Sequence, residues 1–499
     1  MEMVYVPTDY SRSLLLAATA TGGEPDSLRG RIEASQVHIS VDITVPGSST
    51  CLLVLVADLR RLPIHLSLDP GHGSGRLSDD LLDQAVNIAA GIDPERPIKV
   101  GAASPDALHV RVGVDHAAAH LNGVPDGHGT HIRRPGHSFP KLRYAGSGLG
   151  SVLTAAMLTG EIFKTVTTLR PGSHRRIEAL DFCPVTLFSP QEQAPEHLHV
   201  ERLALIGAGA IGTAVALILR ALEATGEMTV VDRQIFEPPN VITYSLGSGQ
   251  EAAARLPKVD IVEAALQHMN IRRVHGTVDD LIAQIDAGHK PMPQIVLGAV
   301  DNIAARHDLQ RIYADLVLDG GTGGRAGTTV SLHEALPTGP CMRCYFPAST
   351  TTLTAEQRLH QATGLPLARI ARGDQALTED DLRGLPRQGR QLLERHVGKP
   401  VCGLGRVMGL TTAAGDDSYQ PSAAFVAQQA ASLMVGALIA RTHPGGNPVS
   451  IRQIEYDTLH GPRPDIVDDR RPRSDCYCQT NTDIIRLVRA QRAKNILTQ

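Results

Sequence analysis

Three glycines, a lysine, two aspartates and four paired cysteines are the residues of this chain whose types and spacing could do chemistry. Gly207, Gly209 and Gly212 stand in G-x-G-x-x-G spacing directly after the apolar run 203–206, and Asp232 closes a second apolar run twenty residues past the third glycine. Glycines permit a tight turn and close backbone approach, the helix that follows turns its N–H groups toward phosphate, and an acid at that distance accepts from ribose hydroxyls. A bare glycine pattern can be a packing turn; here strand, helix, strand and acid fall in register, which points to a nucleotide. Lys258 opens the helix-like stretch KVDIVEAAL and can neutralise a polyphosphate, while Asp301, followed by Asn302, ends another apolar run and can hold a magnesium ion beside it. The plainer readings are an exposed helix lysine and a helix cap. Cys341-x-x-Cys344 and Cys476-x-Cys478 supply four thiolates, enough for a tetrahedral structural zinc joining two distant segments. Pro340 and Pro347 bracket the CxxC in a knuckle, whereas a redox pair needs a helix N-terminus behind it.

The elements that must position these groups alternate. A helix over 211–224 follows the glycines, then a strand at 228–231, a helix at 257–268, a strand at 272–275, a helix at 279–287, a strand at 294–299, a helix at 302–315, and strands near Val317 and Thr328. That pattern predicts a doubly wound parallel sheet, with Gly207 to Gly212, Asp232 and Asp301 on the rim where the strands end. Beyond Pro337 the regularity stops. A charged helical region at 354–397, a Gly-rich loop GKPVCGLGR holding Cys402, a helix at 421–441, a strand at 450–456 and a C-terminal helix with clustered arginines complete the chain.

The region before residue 195 reads less clearly. Runs at 38–45, 51–56 and 108–114 look like strands, Ser78 caps a helix LLDQAVNIAAGI, and a helix at 151–164 follows GSGLGS. That glycine loop reads as a packing turn, since no apolar strand leads into it and no acid follows at the required distance. His109, His116, His120, His128, His131 and His137 crowd together without the spacing of a compact ligand set. Arg133 and Arg134 read as exposed loop residues, Cys51 and Cys183 as core, and 189–197 as a linker. No internal repeat is visible by eye.

Bulk properties exclude more than they assign. A net charge of -4 and pI near 6.6 over 499 residues give no electrostatic case for nucleic acid or an acidic membrane. The most apolar stretch, 425–439, is interrupted by Gln428 and Gln429 and reads as a buried helix, not a membrane span. With no export signal, a cytoplasmic protein with reduced thiols is expected.

Taken together, IGAGAIG, VVDRQIFEPPNV, LPKVDIVEAAL, VDNIAARHDLQ, GPCMRCYFP and CYC resemble the E1-like activating enzymes, the family of ubiquitin activators and of the ThiF and MoeB type bacterial enzymes that adenylate sulfur-carrier proteins. The resemblance implies that Asp232 binds the ribose of ATP, that Asn240 and Lys258 contact phosphates, that Asp301 coordinates magnesium and that the four paired cysteines hold zinc. It further implies a thioester nucleophile in the crossover, which makes Cys402 the candidate, with Lys399 and Arg406 near it in sequence. The implied partners are a ubiquitin-like protein with a Gly-ended tail and an E2-like carrier. One departure stands out: the family has an arginine three residues after Asn240, where this chain has Thr243. Arg255, Arg133 or Arg134 are the candidate replacements.

The expected organisation is an inactive adenylation-like domain at 1–195, an active one at 196–340 and 421–499, and a catalytic-cysteine segment at 341–420. The chain would thus be its own pseudo-dimer, as in bacterial E1-like proteins of conjugation operons, antiphage ones of the BilD type included; higher homo-oligomers stay open. Three other readings remain: a sulfur-carrier adenylyltransferase, an NAD-dependent oxidoreductase, and a non-catalytic scaffold.

Overall fold

The computed structural model describes residues 8–71, 76–114, 119–169, 173–187, 198–324, 327–347, 355–370, 375–398, 423–442 and 452–494, and singly 372, 401 and 404. They form two compact units, residues 1–345 with 421–499, and residues 346–420.

The larger unit is built on two sheets. The first takes β1 (Gln36–Val41), β2 (His65–Leu68), β3 (Lys99–Val100), β4 (Leu108–Val112), β5 (Leu121–Asp126), β6 (Gly129–Arg133) and β7 (Ala179–Phe182) in the order β3-β2-β1-β4-β5-β6-β7. The second takes β8 (His199–Ile206), β9 (Thr225–Val231), β10 (Met269–Val274), β11 (Ile295–Gly298), β12 (Leu316–Gly323), β13 (Thr329–Ala335), β14 (Arg452–Asp457) and β15 (Val467–Asp469) in the order β10-β9-β8-β11-β12-β13-β14-β15. In both, the first five strands are parallel and the later ones antiparallel. The same strand order thus occurs twice, although no repeat is legible in the residues.

The two sheets differ in what covers them. Val278–Asp286 and Ile303–Gln310 connect β10 to β11 and β11 to β12, so the central strands of the second sheet are buried on both faces and read as apolar runs. In the first sheet the corresponding connections carry no helix among the described residues. Its strands alternate accordingly: Val37, Ile39, Leu66, Leu68, Val110 and Val112 share one face, and His38, Ser40, Ser67, His109 and Arg111 share the other.

Several expectations need correction. Residues 51–56 are not a strand but the middle of the helix Ser48–Arg60, with Cys51 fully buried; a six-residue apolar run does not distinguish a buried helix from a buried strand. Gly148–Val166 does not follow a glycine turn between parallel strands. It lies between β6 and β7, as Ala424–Thr442 lies between β13 and β14, and Ser48–Arg60 holds the place after β1 that Ala210–Ala221 holds after β8. β15 was not anticipated. These four helices pack on one another within one continuous core. Ala424–Thr442 is long and apolar enough to cross a membrane by length and composition, yet it is buried among these neighbours, and Gln429 accepts from the Tyr456 hydroxyl at 3.0 Å.

The smaller unit has its own apolar cluster, including Leu359, Leu365, Ile370, Leu382 and Leu393. Arg369 pairs with both oxygens of Asp381, at 2.7 and 2.9 Å, and holds that carboxyl down to about 2. Cys402 lies outside the described residues, as do Lys399 and Arg406.

Candidate nucleotide site

β8 ends at Ile206, and the chain turns sharply into Ala210–Ala221. Gly207 has φ +95°, and a Cβ there would stand 2.5 Å from the carbonyl oxygen of Ala299; one on Gly212 would stand 2.0 Å from that of Gly207. The turn itself therefore requires these two glycines. At Gly209 a Cβ would meet only the Tyr244 hydroxyl, at 3.7 Å. Asp232 braces the turn: one carboxylate oxygen accepts from the Ala208 N–H and the other from the Gln234 N–H, each at 2.7 Å. A carboxylate has lone pairs for further donors after these two.

Lys258 is not the exposed helix residue of the plainer reading. It is 5% exposed at the first position of Lys258–Ala265, and its Nζ donates to Gln234 Oε1 and to the Tyr244 hydroxyl, both at 2.6 Å. Burial opposes its charge, but Tyr244 and the carboxylates of Asp232 and Asp301 outweigh that and raise its pKa. An ammonium held in this way is a fixed point charge beside Gly209. Asp301 is exposed just beyond the end of β11 and accepts from the Asn302 side chain at 3.1 Å, while Asn302 accepts from the Ala305 N–H at 2.8 Å and so caps Ile303–Gln310. Asn240 is buried, its side-chain oxygen accepting from the Glu237 N–H at 2.9 Å.

A model of the family described as the ThiF family matches residues 185–478. This chain belongs to the ThiF family. It is 31% identical over 93 residues to the uncharacterized protein y4oA of Sinorhizobium fredii, a match covering 18% of this chain and 15% of that protein. Among solved structures, E. coli MccB with MccA-N7isoASN is similar over 56% of this chain and 66% of that one, at 14% identity and a TM-score of 0.33. E. coli tRNA N6-threonylcarbamoyladenosine dehydratase, TcdA, is similar over 26% and 53%, at 16% identity and a TM-score of 0.19.

In this ThiF-family chain the three candidate substitutes for the arginine absent at Thr243 do not fit. Arg133 and Arg134 are each 5% exposed on and beside β6, where Arg133 donates to Asp181 at 2.6 Å and Arg134 to Glu161 at 3.0 Å. Arg255 pairs with Glu237 at 3.7 Å in the open. The cation that does approach is Arg12, on the helix Ser11–Thr21, whose guanidinium donates to Thr243 Oγ1 at 3.4 Å. Sequence reasoning missed it, and no local signal could have found it, because the two residues are 231 positions apart. Of the crowded histidines, His131 bridges Asp126 and Asp181, at 3.1 and 2.5 Å, and His128 bonds Ser147 at 2.9 Å; His116 lies outside the described residues.

Cys341, Cys344, Cys476 and Cys478 are all buried, and their sulfurs lie within 4.8 Å of one another. Cys341 to Cys476 is 3.5 Å, Cys344 to Cys478 3.7 Å and Cys341 to Cys344 3.9 Å. A tetrahedral metal with sulfur at about 2.3 Å separates its ligands by about 3.8 Å, so this set could hold one. The Arg473 N–H donates to Cys344 at 3.4 Å. One helical turn, Met342–Tyr345, does follow Cys341, contrary to the bare knuckle expected.

Proposed function

We propose that this protein is an ATP-dependent adenylyltransferase of the E1-like kind, which joins the C-terminal carboxylate of a ubiquitin-like protein to AMP and releases pyrophosphate. The observation that carries this reading is the convergence of Lys258, Tyr244 and Gly209 beside Asp232 on the rim of a ThiF-family sheet. In it, Asp232 receives the ribose hydroxyls, while Lys258 and Arg12 face the phosphates, with Asn240 in the wall of the same loop. Asp301, an exposed carboxylate electrostatically coupled to Lys258, suits a magnesium ion, which would screen the triphosphate. No protein base is needed, because the attacking carboxylate is already ionised at neutral pH. Catalysis is then alignment of two anions and screening of their repulsion by fixed cations. A hydride-transfer reading leaves Lys258 and Asp301 without a task.

The reading extends to zinc on the four thiols, to a thioester on Cys402, and to an E2-like acceptor, in bacteria within a conjugation system of antiphage type. Support for Cys402 is by accounting: the other six cysteines are buried, two in the core and four in the cluster. The test is ATP–pyrophosphate exchange by the purified chain with a small β-grasp protein ending in glycine, alongside metal analysis, for which one zinc per chain is expected. Exchange should depend on both partners and fall at least tenfold in Asp301→Ala. Exchange at the wild-type rate in that variant would remove the magnesium assignment, and no ATP binding by the wild-type chain would remove the reading itself.

A further inference from the structure

The loop that carries Tyr244 is held from the first half of the molecule. Arg61, at the end of Ser48–Arg60, donates from Nε to the Val241 carbonyl at 3.1 Å. Gln428, from Ala424–Thr442, donates from Nε2 to Ser245 Oγ at 3.2 Å and to Asp58 Oδ1 at 2.7 Å. The Ser245 N–H in turn donates to Thr213 Oγ1 at 3.2 Å, in the first turn of the glycine helix. Asp58 is 2% exposed among apolar residues of its own helix, Leu55 and Leu59, and its second oxygen has no hydrogen-bond partner. An incompletely satisfied buried carboxyl is costly, and apolar residues of similar size are often as stable or more so. Packing therefore gives no reason for an acid here. Geometry does: the Asp58 oxygen fixes which end of the Gln428 amide faces it, and so turns that nitrogen's other hydrogen to Ser245, next to Tyr244.

Resting on the reading that the rim takes ATP, we infer that Asp58 and Gln428 are positioning residues through which the first half of the chain sets Tyr244, and with it Lys258, for the nucleotide phosphates. The line runs Asp58, Gln428, Ser245, Tyr244, Lys258, each link a contact or a peptide bond. Neither Asp58 nor Gln428 touches the nucleotide.

The test is calorimetric binding of Mg-ATP to the full chain, with a melting curve for each variant. The double variant Asp58→Leu/Gln428→Leu removes both partners with apolar groups of similar size, so it should melt no lower than wild type and bind ATP about tenfold more weakly. Asp58→Asn keeps an oxygen facing Gln428 and should stay within about twofold. Ser245→Ala, a change at the loop itself, should weaken binding about threefold and serves if the double variant does not fold. Wild-type affinity in the double variant or, failing its folding, in Ser245→Ala overturns the inference and leaves the ATP reading intact. Absence of ATP binding by the wild-type chain overturns both.

Discussion

The two halves of the larger unit share a strand order and differ at every place where nucleotide chemistry would be done. After β8 three residues turn the chain into its helix; after β1 there are six, 42–47, and Gly146 to Ser151 fill the space against them. A Cβ on Gly146 would lie 2.5 Å from the Pro46 carbonyl oxygen, and Ser151 donates to the Gly47 carbonyl at 3.0 Å. Asp69 follows β2 as Asp232 follows β9, and each accepts from the N–H two residues on, at 2.9 and 2.7 Å. The helix leading to the edge strand begins with buried Lys258 in one half and exposed Asp79 in the other. Asp301 and its helix have no counterpart between β4 and β5 among the described residues. The acid after the second strand survives where the turn, the lysine and the metal-type aspartate do not. An aspartate there thus serves the loop's own backbone in both halves, and the lysine and Asp301 are what separate a working rim from a supporting one.

The largest effect that comparison predicts is at Lys258. Lys258→Ala should slow ATP–pyrophosphate exchange by about 10²–10³-fold, the usual cost of removing one preorganised charge from a developing anion, while Asp79→Ala at the matching place should leave exchange within about twofold. Comparable losses in both would mean that the halves are not divided in this way.

A smaller effect is expected at Arg12, where the first half reaches into the second. Loss of one charge-assisted hydrogen bond costs about 1.5–3 kcal/mol, so Arg12→Ala should weaken Mg-ATP binding by roughly 10–100-fold, with partial recovery in Arg12→Lys. Titration calorimetry reads this directly, and an unchanged Kd would return the phosphate cation to the residues around Thr243.

The same contrast explains what the residues disclosed beforehand. The second half was legible because its strands are covered on both faces and its glycines, acid and lysine follow one another within the short span from Gly207 to Lys258. The first half was not, since its sheet is polar on one face and its first helix is an uninterrupted apolar run around Cys51. Arg133 and Arg134 looked like loop cations because a sequence does not show Asp181 and Glu161 arriving opposite them. Tyr244 was visible as a departure from a family pattern, but its bond to Lys258 belongs to the folded loop alone.

The smallest predicted effect concerns an acid that has no partner in the other half: Ser48–Arg60 carries buried Asp58, whereas Ala210–Ala221, AIGTAVALILRA, carries no acid. Burial pushes the Asp58 carboxyl up to about 7, against the opposing pull of Arg61 and Gln428, with Cys51 on the same helix held neutral by its own burial. Because the folded-state pKa lies above the unfolded one, the folded chain holds more protons between the two values. The resulting stability is fully present below the ordinary carboxylate range and is lost as pH rises through about 7. Between pH 6 and 8 that loss is on the order of 1 kcal/mol. Denaturant unfolding at the two pH values should therefore give a larger drop for wild type than for Asp58→Asn, whose amide does not titrate, while other groups contribute equally to both. Equal drops would place Asp58 in a better solvated setting than its neighbours indicate, and would weaken the contrast between the two helices at its most buried point.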